Sequence, residues 1–187
     1  MTVSRVLLSC VVGLLTFGCA TPTPANTAPG AMPPPTARPT VPAEIEAPAT
    51  STPVLKLSAT GTQNYKCQAG ASGGAEWKLV APEAQLIGES GTTTGTHGAG
   101  PTWTIKDGSS VKGDGANAKK APSPEAGSVA WLLIPATSNG QPGELQGVTL
   151  VQRVDTHGGV APPTGCDASS VGAETKIPYT ATYVFYR

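Results

Sequence analysis

The chain has 187 residues, and its 12 basic and 12 acidic side chains cancel. No Lys/Arg stripe supplies the positive footprint that a nucleic-acid surface needs, so that class of partner is set aside. Charged residues are only 13% of the total while glycine (23) and proline (19) abound, which suits a turn-rich β domain joined to a segment that does not fold.

At the start, a single positive charge, Arg5, precedes an uncharged apolar run from Val6 to Phe17. The run is too short for a permanent membrane-spanning helix and fits the h-region of a signal peptide over residues 1–19. It closes in Leu15-Thr16-Phe17-Gly18-Cys19. This resembles the bacterial lipobox, in which the cysteine is acylated and becomes the mature N-terminus. Thr16 stands where that motif usually has Leu, and ordinary signal-peptidase cleavage after Ala20 or Ala25 is the alternative. Cys10 lies within the h-region and is discarded with it. The expectation is a bacterial envelope protein held to a membrane through lipid on Cys19, with secretion as the other outcome.

Residues 20–54 form the next segment. From Ala20 to Pro53 there are ten prolines and three charges, Arg38, Glu44 and Glu46. Proline fixes φ and removes donors, and too few apolar side chains are present to offset the entropy of ordering. A disordered, extended tether is expected, which at about 3.1 Å per residue reaches roughly 100 Å.

Residues 55–187 remain for the folded domain, with ten basic and ten acidic side chains. Short β-type runs recur: Gln63–Gln68, Ala75–Val80, Gln85–Ile87, Thr92–His97, Thr102–Lys106, Ser109–Lys112, Val129–Thr137, Gly147–Asp155 and Tyr179–Tyr186. Turn formers such as Asp107-Gly108, Asn139-Gly140 and Gly158-Gly159 separate them. In the last run Tyr179, Ala181, Tyr183 and Phe185 share one face. Val129 to Ile134 is apolar throughout and reads as a strand covered on both sides. No helical period lasts three turns. The fold expected is all-β, a single antiparallel sandwich or barrel. Cys67 and Cys166 are the two cysteines of the domain, and in an oxidising compartment they are expected to form a disulfide.

A set of short strings then points further. Trp77 with Ala81-Pro82-Glu83-Ala84 is followed by Gly95-Thr96-His97, Gly100-Pro101-Thr102-Trp103, Asp107-Gly108-Ser109, Trp131-Leu132-Leu133 and Gln152-Arg153-Val154. Gly158-Gly159 with Pro162 and Cys166, and Tyr179-Thr180-Ala181 with Tyr186, complete it. In order and spacing these resemble the domain-of-unknown-function family 3455 of exported bacterial and fungal proteins, over the whole folded domain. After Gly-Thr-His the family tends to carry an aromatic residue, where this chain has Gly98. The resemblance implies domain boundaries but no activity. Some fungal members bear a malate dehydrogenase label. The nearest dinucleotide fingerprint here, Gly113 to Ala118, is followed by Lys119-Lys120-Ala121-Pro122-Ser123-Pro124, which cannot supply the required helix. No nucleotide or other cofactor is expected.

For a site, the glycine-rich stretch Gly95 to Trp103 is the richest constellation. His97 is a candidate source of hydrogen bonds, Trp103 of a stacking face, and Asp107 of a further polar contact. The bland reading makes Trp103 core and His97 a satisfied structural residue. Trp77 and Trp131 are expected in the core, and Glu83 is a candidate partner for Arg153. His97 and His157 are the only histidines, and neither stands in a metal-ligand pair, so no metal site is assigned. The reading is a surface module that binds a glycan or other extracellular partner and catalyses nothing. The alternatives are a small hydrolase centred on His97 and a structural envelope component.

Overall fold

Alternation of side chains along the first and last strands sets the architecture. In β1 (Pro53–Ala69) residues Leu57, Ala59, Gln63, Tyr65 and Cys67 are buried at every second position, with exposed or half-buried neighbours between. A period of two is the signature of a strand with one face turned to a core. The computed structural model describes residues 36–70 and 73–187. The signal peptide, Cys10, the lipidation candidate Cys19 and the stalk up to residue 35 lie outside them.

The remaining strands are β2 (Ala75–Ile87), β3 (Thr93–Gly98), β4 (Thr102–Ile105), β5 (Ser110–Gly113), β6 (Lys119–Ala121), β7 (Trp131–Ser138), β8 (Leu150–Gly158) and β9 (Glu174–Tyr186). All pair antiparallel, in the order β5-β4-β3-β2-β1-β9-β8-β7-β6. A further pairing of β5 with β7, from Val111↔Ser138 to Gly113↔Ala136, joins the first strand of that order to the last but one. The sheet therefore closes on itself. The expected alternatives meet here, since opposite walls of a closed sheet face each other across one core as the layers of a sandwich do.

Strand limits differ from expectation for identifiable reasons. β1 begins ten residues before Gln63, because it pairs with β9 from Pro53↔Tyr186 to Lys66↔Glu174 although Ser58 to Thr62 carry little β signal. Ala75–Val80 and Gln85–Ile87 fuse into β2 through Pro82. β3 pairs with β2 only from Ala84 onward, so the side of Pro82 away from β1 has no partner awaiting a donor. The short β6 was not expected. It continues the edge along β7 after a single 3-10 turn, Gly115–Asn117, whose N-cap is Asp114. That turn and strand occupy the place where a dinucleotide fold would need a helix.

Leu57, Leu86, Trp103, Val111, Ile134 and Phe185 belong to the interior core. Tyr179, Ala181, Tyr183 and Phe185 all point inward as the alternation of β9 requires. One end of the barrel is plugged by the loop before β8. Its Leu145 and Val148 are buried in the same core, and Leu145 N–H donates to Ser109 Oγ. Cys67 and Cys166 form the expected disulfide, with Cα atoms 5.4 Å apart and a sequence separation of 99.

The expected tether needs a correction over residues 36–53. These residues are packed against the barrel rather than free of it. A 3-10 turn at Ala43–Ile45 buries Ile45 completely against Leu133, Val184 and Tyr186 on the outer face. Arg38 donates to the carbonyls of Ala47, Pro48 and Ser51 and lies over the Tyr186 ring, 5.5 Å from its centroid. Proline density disfavours helix and ladder, yet an extended strap needs neither when a few apolar side chains meet an apolar patch. β7 is thereby covered on both faces, as its apolar run implied.

Candidate functional site

The end of the barrel opposite the Leu145 plug is open. Here β1, β2, β3, β4, β6, β7, β8 and β9 contribute to the walls of a cavity of about 420 Å³. Its walls are largely apolar, with Pro101, Leu132 and Ile134 inside and the exposed Leu79 and Val80 at the lip. Polar side chains converge within it from three directions: Gln63 from β1, His97 from β3 and Arg153 from β8, with Tyr183 between them. Each stands at an inward position of its strand, and strand alternation alone brings them together.

His97 and Trp103 are direct partners across β3 and β4. Their rings stack with centroids 4.4 Å apart and planes 6° from parallel. Tyr183 meets both rings edge-on, at 5.0 Å and 5.4 Å. Trp103 is wholly buried, so its stacking face is already taken by His97. Gly113 is needed for that placement, because a Cβ there would lie 3.0 Å from the Trp103 ring and 2.9 Å from Ile134. In the β3–β4 turn Gly100 holds φ +91, a conformation few other residues adopt. Gly98 points outward into open space, so an aromatic ring at that position would lie outside the mouth.

His97 Nδ1 is 3.0 Å from the Thr102 carbonyl, to which it donates as the neutral tautomer. That leaves Nε2 with a lone pair and no protein partner among the described residues. Burial pushes the His97 pKa down to about 4; the hydrogen bond to the Thr102 carbonyl opposes it, and the nearby positive charge of Arg153 adds a smaller lowering. The ring is thus uncharged at neutral pH and able to accept a proton or a hydrogen bond at Nε2.

Arg153 is half-buried and donates through Nε and Nη2 to the Ala130 carbonyl, at 3.1 Å and 2.8 Å. Among the described residues it has no carboxylate partner. The expected pairing with Glu83 is corrected: Glu83 faces outward and accepts from Lys176 Nζ at 2.7 Å and Asn64 Nδ2 at 3.3 Å. Glu83 occupies an outward position of β2 and Arg153 an inward position of β8, so the two stand on opposite sides of the sheet. Burial raises the Tyr183 pKa, and the guanidinium of Arg153 pulls the other way. Two buried donors beside this group have no acceptor among the described residues, Gln63 Nε2 and Trp103 Nε1.

Asp107 is not part of this group. It lies in the β4–β5 turn at the far end of β4, where its carboxylate accepts from Ser109 N–H, Ser109 Oγ–H and Glu144 N–H. The Ser109 hydroxyl, then the backbone donors, hold its pKa below the usual carboxylate range. His157 is exposed on the outside of β8 against Glu125, so the two histidines are not brought together. Among the described residues no group of three or more His, Cys, Asp or Glu side chains is gathered as a metal would need. Trp77 and Trp131 are half-buried rather than core. Trp77 donates to the Thr164 carbonyl beside the disulfide, and Trp131 lies against the strap.

Gln63 and Tyr183 were not singled out from the sequence as site residues, and Arg153 was read as half of an ion pair. Their signal is parity. Gln63 shares its face with Leu57 and Ala59, and Arg153 shares its face with Val151. A polar side chain at an inward position of a strand is the exception that marks a site.

Residues 48–187 match the family described as Protein of unknown function (DUF3455). The chain belongs to that family. No curated protein and no solved structure matches it.

Proposed function

We propose that this member of a family without an assigned activity is an envelope lipoprotein, held through Cys19, whose barrel mouth receives a small extracellular ligand. The observation that carries the reading is the set of unpaired polar groups in an otherwise apolar cavity: Arg153 without a carboxylate, and Gln63 Nε2 and Trp103 Nε1 without acceptors. Leaving a buried donor unsatisfied costs about 1–3 kcal/mol, and a ligand oxygen in the mouth recovers it. The glycan expected from the sequence narrows to a chain end or single unit, because none of the three tryptophans offers an open ring along a groove. A polar depression on the outer face of β1, β2 and β3 exists, but no Trp, Tyr or Phe lines it. Hydrolysis gains less support. The mouth contains a neutral imidazole but no carboxylate, serine, threonine or cysteine to act with it.

One experiment separates the anchor from the seat. Cys19→Ala in cells should move the chain from the membrane fraction to the soluble fraction. Small sugars and organic acids should then raise the melting temperature of the released protein, and Ala118→Trp, which fills the mouth, should abolish the shift. Membrane retention of the Cys19 variant would remove the anchor. Ligand shifts that survive the filled mouth would remove the seat.

A further inference from the structure

We propose that the group recognised in the barrel mouth is a carboxylate, held by Arg153 with Gln63 as its second donor. This deepens the binding reading given above and rests on it. Among the described residues, Arg153 is the charged side chain lining the inside of the cavity, Lys120 lies at its exposed rim, and no acidic residue lines it. A half-buried cation without a counter-ion is unfavourable, and proteins normally pair it. Here the Ala130 carbonyl takes the Nε and Nη2 donors, and beyond it the guanidinium has only the neutral Tyr183 hydroxyl beside it and no carboxylate among the described residues.

The donor set defines the ligand chemistry. Arg153 and Gln63 present N–H groups and one positive charge. A planar monoanion matches a planar fork better than a dianion does, because the interior offers a single charge. His97, neutral and with Nε2 free, adds one acceptor, which suits a hydroxyl donor on the ligand. The apolar wall at Leu132 and Ile134 covers the remaining body. Two sources share this chemistry: a small organic acid with an apolar body, and a uronic-acid unit at the end of an envelope glycan.

The test uses the full-length chain carrying Cys19→Ala, titrated by calorimetry at fixed ionic strength with hexanoate, hexanamide, glucuronate and glucose. At least one acid should bind at least tenfold more tightly than its uncharged counterpart. Arg153→Gln should weaken that acid at least tenfold, and Gln63→Leu should weaken it several-fold without lowering the melting temperature. Binding of hexanoate alone assigns the apolar acid, and binding of glucuronate alone assigns the sugar acid. Equal affinity for acids and neutral partners, or full acid affinity in Gln63→Leu and Arg153→Gln, overturns the carboxylate assignment while leaving the mouth as a seat. If Arg153→Gln does not fold, unchanged acid binding by Gln63→Leu is enough to overturn it. Absence of any binding sensitive to Ala118→Trp overturns the binding reading as well.

Discussion

Gln63 and Gln152 are both 1% exposed, and they lie on opposite faces of one closed sheet. On the outer face Gln152 is fully engaged. Its Nε2 donates to the Ile45 carbonyl at 2.7 Å, and its Oε1 accepts from Tyr186 Oη–H at 2.6 Å. On the inner face Gln63 Nε2 has no acceptor among the described residues. The same side chain with the same burial does two jobs. Beneath the strap it closes a hydrogen-bond account between protein groups, and in the mouth it leaves a donor for something else. An unmet buried donor is not confined to the mouth, since Trp131 Nε1 by the strap has no partner either, but only in the mouth does one lie beside a cavity and a cation without a carboxylate among the described residues.

Three experiments break or sharpen that contrast. The largest effect is expected at the floor of the mouth, where Trp103→Ala removes the ring on which His97 rests. Truncating a buried tryptophan costs about 3–5 kcal/mol, so thermal melts should show a severe loss of stability. A melt close to that of the unaltered protein would mean that the ring does not support the inner face.

The inner face should also respond to acid. His97 has a pKa of about 4 when folded against an ordinary value of 6.5, so between these values the unfolded chain binds the proton and the folded one does not. Stability is then fully present above about pH 6.5 and falls as the pH drops toward 4, by about 3 kcal/mol in total. Asp107 and Asp167, with lowered pKa values, add losses only further into acid. His97→Phe keeps a ring on Trp103 and should flatten the segment between pH 6.5 and 4 in denaturant titrations. An unchanged slope would assign that acid sensitivity elsewhere.

The smallest effect is the most direct comparison. Gln152→Leu strands the Ile45 carbonyl and the Tyr186 hydroxyl and should cost about 1–3 kcal/mol. Gln63→Leu deletes a donor that no protein group uses and should leave stability equal or slightly higher. Chemical denaturation of the two variants side by side checks both. Equal losses would show that Gln63 is satisfied within the fold after all.

Much of the fold was legible because β alternation is local. The tyrosine-rich β9 and the apolar stretch of β7 announce themselves within a few residues, and the disulfide was expected from the two cysteines of the domain under an expected oxidising compartment. The closure of β5 on β7 was not, since it depends on pairing that no local pattern encodes. Nor was the strap. Ile45 and Ala47 are isolated apolar residues in a proline tract, and only the patch formed by Leu133, Val184 and Tyr186 gives them a partner. At the site, the sequence located His97 and Trp103 but could not say that their rings face each other. Asp107 attracted notice through its turn, and the turn is where it acts, tying Ser109 to Glu144. Arg153 was visible as a charge, but its role depends on which face of β8 it takes.

The barrel also has two poles. β1 enters at Pro53 beside Tyr186, and Thr52 and Arg187 exchange backbone hydrogen bonds at that same end. Gln63 lies ten residues further on, a rise of about 33 Å along an extended strand. If the proposed anchor at Cys19 holds the chain, the load would enter the barrel at the Pro53 end, and the mouth lies toward the other. Tension arriving there would first meet the strap and β1, the strand bound on both sides by long neighbours, ten residues before β1 reaches the mouth at Gln63. Diffusing molecules would approach from the free hemisphere, unshadowed by the point of attachment.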